Sequence, residues 1–327
     1  MKPRMALIVS ALLGSLQIAC ADSLSFKNLN IPGIPFGMNN PGQIVGTSAG
    51  GQQTTGYLYT NGVMQTLVAP GASNTFAYGI NDTAEVVGAA NAPSVGTYAI
   101  VYLNGSFTTL TVPWQGSTTA RGINNAGHMV GYHTDPAGNT IGFLTAGAGV
   151  FTDIIVPGAF STFPYRVNNI GEVVGYFTNE DGDESGFVYK DGVYQTITVP
   201  GSSDTLVYAM NDSGEIVGSF IDNSGTHGFL DDNGVFTTFD APDTLPTRGT
   251  FARDITDDGV ILVYGVGTGT FVATSTIESV PEPTAFSLVM CASAIGILIM
   301  RRRTRLSMAR IHTASYRYLL EVTGRDR

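Results

Sequence analysis

A nine-residue motif occurs five times at a nearly constant interval, and this periodicity constrains the fold more than any other property of the chain. It reads apolar residue, Asn, Asn or Asp, two variable residues (the second usually Gly), a polar residue, two apolar residues and Gly. The copies are Met38-Asn39-Asn40-Pro41-Gly42-Gln43-Ile44-Val45-Gly46, Ile80 to Gly88, Ile123 to Gly131, Val167 to Gly175 and Met210 to Gly218. A degenerate sixth copy begins Ile255-Thr256-Asp257-Asp258-Gly259. The leading asparagines, Asn39, Asn81, Asn124, Asn168 and Asn211, lie 42, 43, 44 and 43 residues apart, and Thr256 follows 45 residues later. A period of about 40 to 45 residues points to propeller blades or a similar array, each repeat being one supersecondary unit that buries its apolar face against its neighbours.

Each unit divides into four short strands. Asn-Asn-x-Gly reads as a tight hairpin, because Asn and Gly tolerate positive φ. The apolar pair after it, such as Val173-Val174, starts the return strand. A Gly-aromatic strand comes next, at Gly56-Tyr57, Gly142-Phe143, Gly186-Phe187 and Gly228-Phe229. Asn-Gly or Asp-Gly turns follow at Asn61-Gly62, Asn104-Gly105, Asp191-Gly192 and Asn233-Gly234. A Thr-rich strand then runs to a proline, as in Phe107 to Pro113, Phe151 to Pro157 and Tyr194 to Pro200. Tyr194-Gln195-Thr196-Ile197-Thr198-Val199 alternates as a strand with one wet face does. No helical period precedes residue 284.

The array begins and ends out of phase. Ser25 to Gly33 matches the Thr-rich fourth strand with nothing before it, and Gly269-Thr270-Phe271-Val272 matches a third strand with no fourth after it. Pairing the two completes six blades and leaves no exposed end. The expected fold is therefore all-β, a six-bladed β-propeller closed by its own termini over residues 22–279; the alternative is an open β-solenoid. The repeat resembles the HAF extracellular repeat, whose Pro-Gly, Ile-Asn-Asn-x-Gly-x-Ile-Val-Gly and His-Gly-Phe pieces match Pro200-Gly201, Met210 to Gly218 and His227-Gly228-Phe229.

Both extremities carry addresses. Lys2 and Arg4 precede an apolar run from Met5 to Ala19, and Ala19-Cys20-Ala21 supplies the small-x-small pattern of signal-peptidase cleavage. Residues 1–21 are thus expected to be a signal peptide; lipidation of Cys20 is the alternative. Near the other end, Val280-Pro281-Glu282-Pro283 precedes an uncharged stretch from Thr284 to Met300 and then Arg301-Arg302-Arg303. As a helix those 17 residues reach about 25 Å, enough for a short membrane span, and the arginines stay on the cytoplasmic side. A plain single-pass anchor fits these features. So does a closer resemblance: Pro-Glu-Pro, one apolar helix and a basic cluster are similar to the PEP-CTERM sorting signal of Gram-negative bacteria, here residues 280–303. That resemblance implies processing by an exosortase at the inner membrane, then delivery to the cell surface or the exopolysaccharide matrix. Family members usually end just after the arginines, whereas a basic tail, residues 304–327, continues here and is expected to be cytoplasmic.

Between Asp22 and Pro283 the chain carries six basic residues and 24 acidic ones, a net charge of −18. Such a surface repels nucleic acid and anionic polymers. The two cysteines, Cys20 and Cys291, lie in the terminal segments, so the repeat domain relies on its core alone. Asn179-Glu180-Asp181-Gly182-Asp183-Glu184-Ser185 gathers carboxylates, and Asp181, Asp183 and Glu184 are the candidate ligands for Ca²⁺, although the loop lacks EF-hand spacing. No other cofactor is expected. His128 and His133 read as surface hairpin residues and His227 as part of the repeat architecture. Glu85, Glu172 and Glu215 recur at one repeat position, which argues for structure rather than for a catalytic pair. The aromatics Tyr57, Tyr59, Tyr78, Tyr98, Tyr102, Trp114, Tyr132, Tyr165, Tyr176, Tyr189 and Tyr194 read as blade packing or as a stacking platform for sugars. The expected function is that of a non-enzymatic surface module, structural or ligand-binding, with extracellular polysaccharide as the candidate partner. A glycosidase or lyase on the same scaffold is the alternative.

Overall fold

The computed structural model describes residues 23–50, 53–93, 95–146 and 149–276. They form 24 strands in six antiparallel four-stranded sheets. β1, Ser23–Asn28, comes first. Blade 1 holds β2 (Ile34–Met38), β3 (Ile44–Gly50), β4 (Gln53–Thr60) and β5 (Val63–Leu67). Blade 2 holds β6 (Asn74–Ile80), β7 (Val86–Ala92), β8 (Gly96–Leu103) and β9 (Ser106–Thr109). Blade 3 holds β10 (Thr118–Ile123), β11 (Met129–Thr134), β12 (Thr140–Thr145) and β13 (Phe151–Ile154). Blade 4 holds β14 (Ser161–Val167), β15 (Val173–Thr178), β16 (Glu184–Lys190) and β17 (Val193–Ile197). Blade 5 holds β18 (Asp204–Met210), β19 (Ile216–Ile221), β20 (Thr226–Asp232) and β21 (Val235–Phe239). Blade 6 holds β22 (Thr250–Ile255), β23 (Ile261–Gly265) and β24 (Gly269–Thr276), and its fourth strand is β1.

The ring closes as the out-of-phase ends require. β1 pairs antiparallel with β24 over six residues, from Ser23 opposite Thr276 to Asn28 opposite Phe271. Leu24 and Phe26 of β1 pack onto a core that joins blades 5 and 6 through Val217, Ala252, Ile261 and Phe271. Met38, Ile44 and Tyr57 of blade 1 share a cluster with Leu262 of blade 6. The chain is a six-bladed β-propeller, and the solenoid alternative is excluded.

Within a blade the last glycine of the motif sits opposite an aromatic of the next strand: Gly46 and Tyr57, Gly131 and Phe143, Gly175 and Phe187, Gly218 and Phe229. A Cβ on Gly218 would lie 2.0 Å from Leu206 O and 2.8 Å from Phe229 Cε1, so a carbonyl and the ring together occupy the space a side chain would fill. These four aromatics are fully buried, each worth about 1.5–3 kcal/mol in transfer terms. The Asn-Gly and Asp-Gly turns behave as expected, with left-handed φ of 50° and 86° at Asn61-Gly62 and 49° and 86° at Asp191-Gly192.

Two local readings are corrected. The Thr-rich strands stop short of their prolines: β13 ends at Ile154 and β17 at Ile197. Beyond those points the chain leaves its own sheet and latches onto the next blade. Val156 N–H donates to Thr162 Oγ1 at 3.1 Å, Val199 N–H to Thr205 Oγ1 at 3.1 Å and Ala69 N–H to Thr75 Oγ1 at 2.9 Å. In the Asn-Asn-x-Gly hairpins, moreover, the asparagines do not take positive φ. The left-handed residue is Gly42, Gly127, Gly171, Gly214 or Gly259, and in blade 2 it is Ala84, at 61°.

Among the described residues no helix is long and apolar enough to cross a membrane. The expected signal peptide with Ala19 and Ala21, the sorting motif Val280-Pro281-Glu282-Pro283, the apolar span, Arg301-Arg302-Arg303 and the tail 304–327 lie outside the described residues.

Candidate functional site

The six inner strands, β2, β6, β10, β14, β18 and β22, surround the propeller axis, and each carries a bulge three residues before its hairpin asparagine or Thr256, where the pairing register shifts. A bulge re-aims side chains, and here it stacks the shaft in layers. Counting toward the hairpins, the first layer is Phe36, Tyr78, Arg121, Tyr165, Tyr208 and Arg253, with Phe76 stacked on Tyr78 and Phe251 against Arg253. The second is Gly37, Gly79, Gly122, Arg166, Ala209 and Asp254. The hairpin asparagines and their neighbours form the opposite mouth.

The hairpin asparagines couple the blades. Each Oδ1 accepts the backbone N–H four residues on: Asn39 from Gln43 at 2.8 Å, Asn81 from Glu85 at 2.9 Å, Asn124 from His128 at 2.9 Å, Asn168 from Glu172 at 2.8 Å and Asn211 from Glu215 at 3.0 Å. Each Nδ2 donates to the next blade's backbone carbonyl, from Asn39 to Asn81 O at 2.9 Å and so on to Asn211 and Thr256 O at 3.2 Å. Glu172 Oε2 and Glu215 Oε2 receive the other amide hydrogen, at 3.0 and 2.6 Å, which explains why a carboxylate recurs there. One residue further on, Asn40, Asp82, Asn125, Asn169, Asp212 and Asp257 form a closed ring in which each backbone N–H donates to the next side chain's Oδ1, at 2.7 to 3.0 Å. The ring rims a cavity of about 70 Å³ floored by Arg166 and Asp254.

Arg166 plugs the shaft. Its guanidinium pairs with Asp254 Oδ2 through Nη2 at 2.9 Å and Nε at 3.1 Å. Nη1 donates to Arg121 O at 2.7 Å and Tyr165 O at 3.0 Å, and Nη2 to Phe36 O at 2.6 Å and Tyr78 O at 3.1 Å, so one side chain gathers carbonyls from four blades. Glycine in the second layer makes room: a Cβ at Gly37 would sit 2.8 Å from Arg166 Nη2. Asp254 Oδ2 also accepts Met38 N–H at 2.8 Å.

Beyond the plug lies an aromatic mouth around a cavity of about 10 Å³ lined by Phe36, Tyr78, Arg121, Tyr165, Arg166, Tyr208 and Arg253. The Arg121 guanidinium carbon sits 4.1 Å from the Tyr78 centroid, 4.6 Å from Tyr165 and 5.5 Å from Tyr132. That of Arg253 sits 4.6 Å from Phe251, 5.0 Å from Tyr208 and 5.4 Å from Phe36. Burial pushes the Tyr78 and Tyr208 phenols upward. Tyr176, whose phenol is likewise pushed upward by burial, packs on Phe163 at 4.9 Å.

The aromatic readings thus divide. Tyr78, Tyr132, Tyr165 and Tyr176 converge around this mouth with Phe36, Phe163 and Tyr208, whereas Tyr57, Tyr102, Tyr189 and Tyr194 pack between neighbouring blades. Trp114 stacks on His133 at 4.1 Å. His133 is therefore not a surface hairpin residue: it lies in β11, 7% exposed, and burial lowers its pKa.

Asp181, Asp183 and Glu184 do not converge. Asp183 pairs with Asn179, accepting its Nδ2 at 3.0 Å, while Glu184 lies beside Asp204, burial and that neighbour raising its pKa. Among the described residues no three His, Cys, Asp or Glu side chains cluster as a metal set. The fold does assemble a group that the sequence reading passed over. His227 Nδ1 lies 3.0 Å from Asp240 Oδ1, and its Nε2 lies 2.8 Å from Ser224 Oγ. The order resembles a hydrolytic triad, but Ser224 Oγ donates to Asp222 Oδ1 at 2.6 Å, and the backbone N–H groups of Ser224 and Gly225 turn to the same oxygen. Those amides are not free to hold an oxyanion, so the group clips the β19–β20 hairpin to Asp240, just past the end of β21.

No family model matches the chain, and no curated protein matches it. Solved structures do. AofleA from Arthrobotrys oligospora is 13% identical with a TM-score of 0.50, over 77% of this chain and 85% of its own. The SapL1 lectin in complex with alpha methyl fucoside is 12% identical with a TM-score of 0.50, over 75% and 96%. TolB from Acinetobacter baumannii is 14% identical with a TM-score of 0.51, over 66% of this chain and 54% of its own. At these identities the likeness establishes the fold.

Proposed function

We propose that this chain is a non-catalytic binding module of the cell exterior, exported through its N-terminal segment, sorted by an exosortase through residues 280–303, and holding saccharide of the extracellular matrix at the aromatic mouth. The observation that carries the binding reading is the convergence of Phe36, Tyr78, Tyr165 and Tyr208 on one end of a plugged shaft. Ligand sites of this kind are concave and aromatic, with a few polar groups to orient the ligand. SapL1 supplies a propeller that binds alpha methyl fucoside. Shared fold does not carry a ligand across, so the reading rests on the mouth. The competing glycosidase needs two carboxylates about a scissile bond, and the groups lining this mouth are arginines and aromatics.

Incubating the purified full chain with the producing organism's exopolysaccharide tests the proposal. Co-sedimentation without chain shortening is expected. Shortening of the polymer would establish the enzyme instead, and recovery of the chain from cytosol with its leader attached would defeat the export reading.

A further inference from the structure

Six basic residues serve a domain with 24 acidic ones, and three of the six, Arg121, Arg166 and Arg253, lie on the propeller axis. Arg166 is paired with Asp254. Arg121 and Arg253 are not: among the described residues neither comes within 4.0 Å of a carboxylate. Arg121 gives one hydrogen bond from Nη2 to Tyr132 Oη at 3.0 Å, and the Nε of both arginines is buried without a partner. The shaft thus carries two uncompensated positive charges. A guanidinium has five donors in a planar fork suited to carboxylate, and cation–π attraction to a ring does not itself satisfy those donors.

The two cations occupy opposite blades, 3 and 6, of the first layer. That layer reads Phe, Tyr, Arg, Tyr, Tyr, Arg, so each guanidinium is flanked by aromatic residues. We infer that the aromatic mouth is an anion site, and that its ligand is a carboxylate-bearing sugar, a uronic acid, whose ring rests on the aromatic rim while one carboxylate oxygen enters between Arg121 and Arg253. This rests on the saccharide reading above and specifies it. The void of about 10 Å³ sets the depth of entry: it holds about one water-sized group, so an oxygen fits and a pyranose does not. The net charge of −18 opposes any anion at long range, yet that field is screened beyond about 10 Å at 0.1 M salt. Charge-assisted contacts at the mouth act inside that distance.

The test measures binding of glucuronic acid and of glucose to the full chain by calorimetry, in the wild type and in Arg253→Gln, Arg253→Lys and Arg121→Gln, beside exopolysaccharide co-sedimentation. Circular dichroism confirms that each variant is folded. Glucuronic acid is expected to bind at least about tenfold more tightly than glucose, and each Gln variant to lose about tenfold for the acid alone, Arg253→Lys losing less. Equal binding of acid and neutral sugar, or Gln variants that are folded and bind the acid as the wild type does, would overturn the inference. Polymer that co-sediments while the acid does not bind leaves the saccharide reading standing without the anion site. Acid that binds while polymer does not supports the anion site and removes the polysaccharide.

Discussion

Replacing Asp254 by Asn tests the plug most directly, because it removes a charge while nearly keeping the shape. In the folded chain the carboxylate is 8% exposed and sits 2.9 Å from Arg166 Nη2. At an effective dielectric constant near 20 that contact is worth about 6 kcal/mol of attraction before desolvation is counted. What remains when one partner of a buried pair is removed is typically a loss of about 3–5 kcal/mol, since the other charge is stranded. Here the stranded cation would share the shaft with Arg121 and Arg253, which also lack carboxylate partners, so the upper half of that range is expected. At about 2–4 °C per kcal/mol for a domain of this size, Asp254→Asn should lower the melting temperature by about 8–20 °C. The assay is chemical denaturation of wild type, Asp254→Asn, Arg166→Met and the double variant. Removing both charges cancels the stranding, so the double variant should be less destabilised than the sum of the singles by at least about 2 kcal/mol. Strict additivity, or an Asp254→Asn protein within about 1 kcal/mol of wild type, would show that the pair does not organise the shaft.

Two further outcomes follow from local geometry. Ala84 holds the left-handed turn position that glycine takes in the other hairpins of this motif, at φ 61°; Ala84→Gly should stabilise by about 0.5–1 kcal/mol, the relief of strain exceeding the added chain entropy, and a lower denaturation midpoint would contradict it. Burial raises the pKa of Tyr57, Tyr78, Tyr176 and Tyr208 above the usual phenol value of 10.0. A raised folded value means that their contribution is fully present below pH 10 and is lost as pH climbs through the folded values. Absorbance at 295 nm should therefore show part of the 14 tyrosines ionising only as the chain unfolds; ionisation of all of them near pH 10 with circular dichroism unchanged would refute the burial.

The ring was legible because the repeat is cut out of phase. Ser25 to Gly33 has no third strand before it and Gly269 to Val272 no fourth after it, so the sequence alone contained the β1–β24 pairing. The asparagines were legible as repeat markers but not in their role. Turn propensity suggested backbone conformation, whereas each amide spans two blades, a contact about 43 residues distant that local rules do not register. The plug was visible only in an alignment of the repeats. The column Gly37, Gly79, Gly122, Arg166, Ala209, Asp254 is small except for one cation and one anion, and nothing in either residue's neighbourhood indicates that 88 positions separate partners in a buried pair. His133 misled for the opposite reason. It stands just before the polar pair Thr134-Asp135, and the packing of the distant Trp114 over it helps remove it from water.

On the axis of a propeller, exact repetition is forbidden chemistry. Six copies of one side chain would meet at a point: six arginines would repel, six aromatics would not fit, and six glycines would leave an open pore. The hairpin layer repeats almost perfectly, five of its six positions carrying the same asparagine, and each of these amides bonds to the neighbouring blade rather than across the axis. The shaft departs from repetition in both layers, by one ion pair that closes it and by two arginines placed opposite each other among aromatics. The ion pair is accounted for by closure, since Arg166 satisfies carbonyls of four blades. Closure does not account for Arg121 and Arg253. Both lie outside the plug layer, leave an Nε without a partner, and raise the charge of a shaft that is already sealed. Neither arginine is needed to hold the plug, and the cost of two cations without carboxylate partners among the described residues is what a ligand of opposite charge would offset.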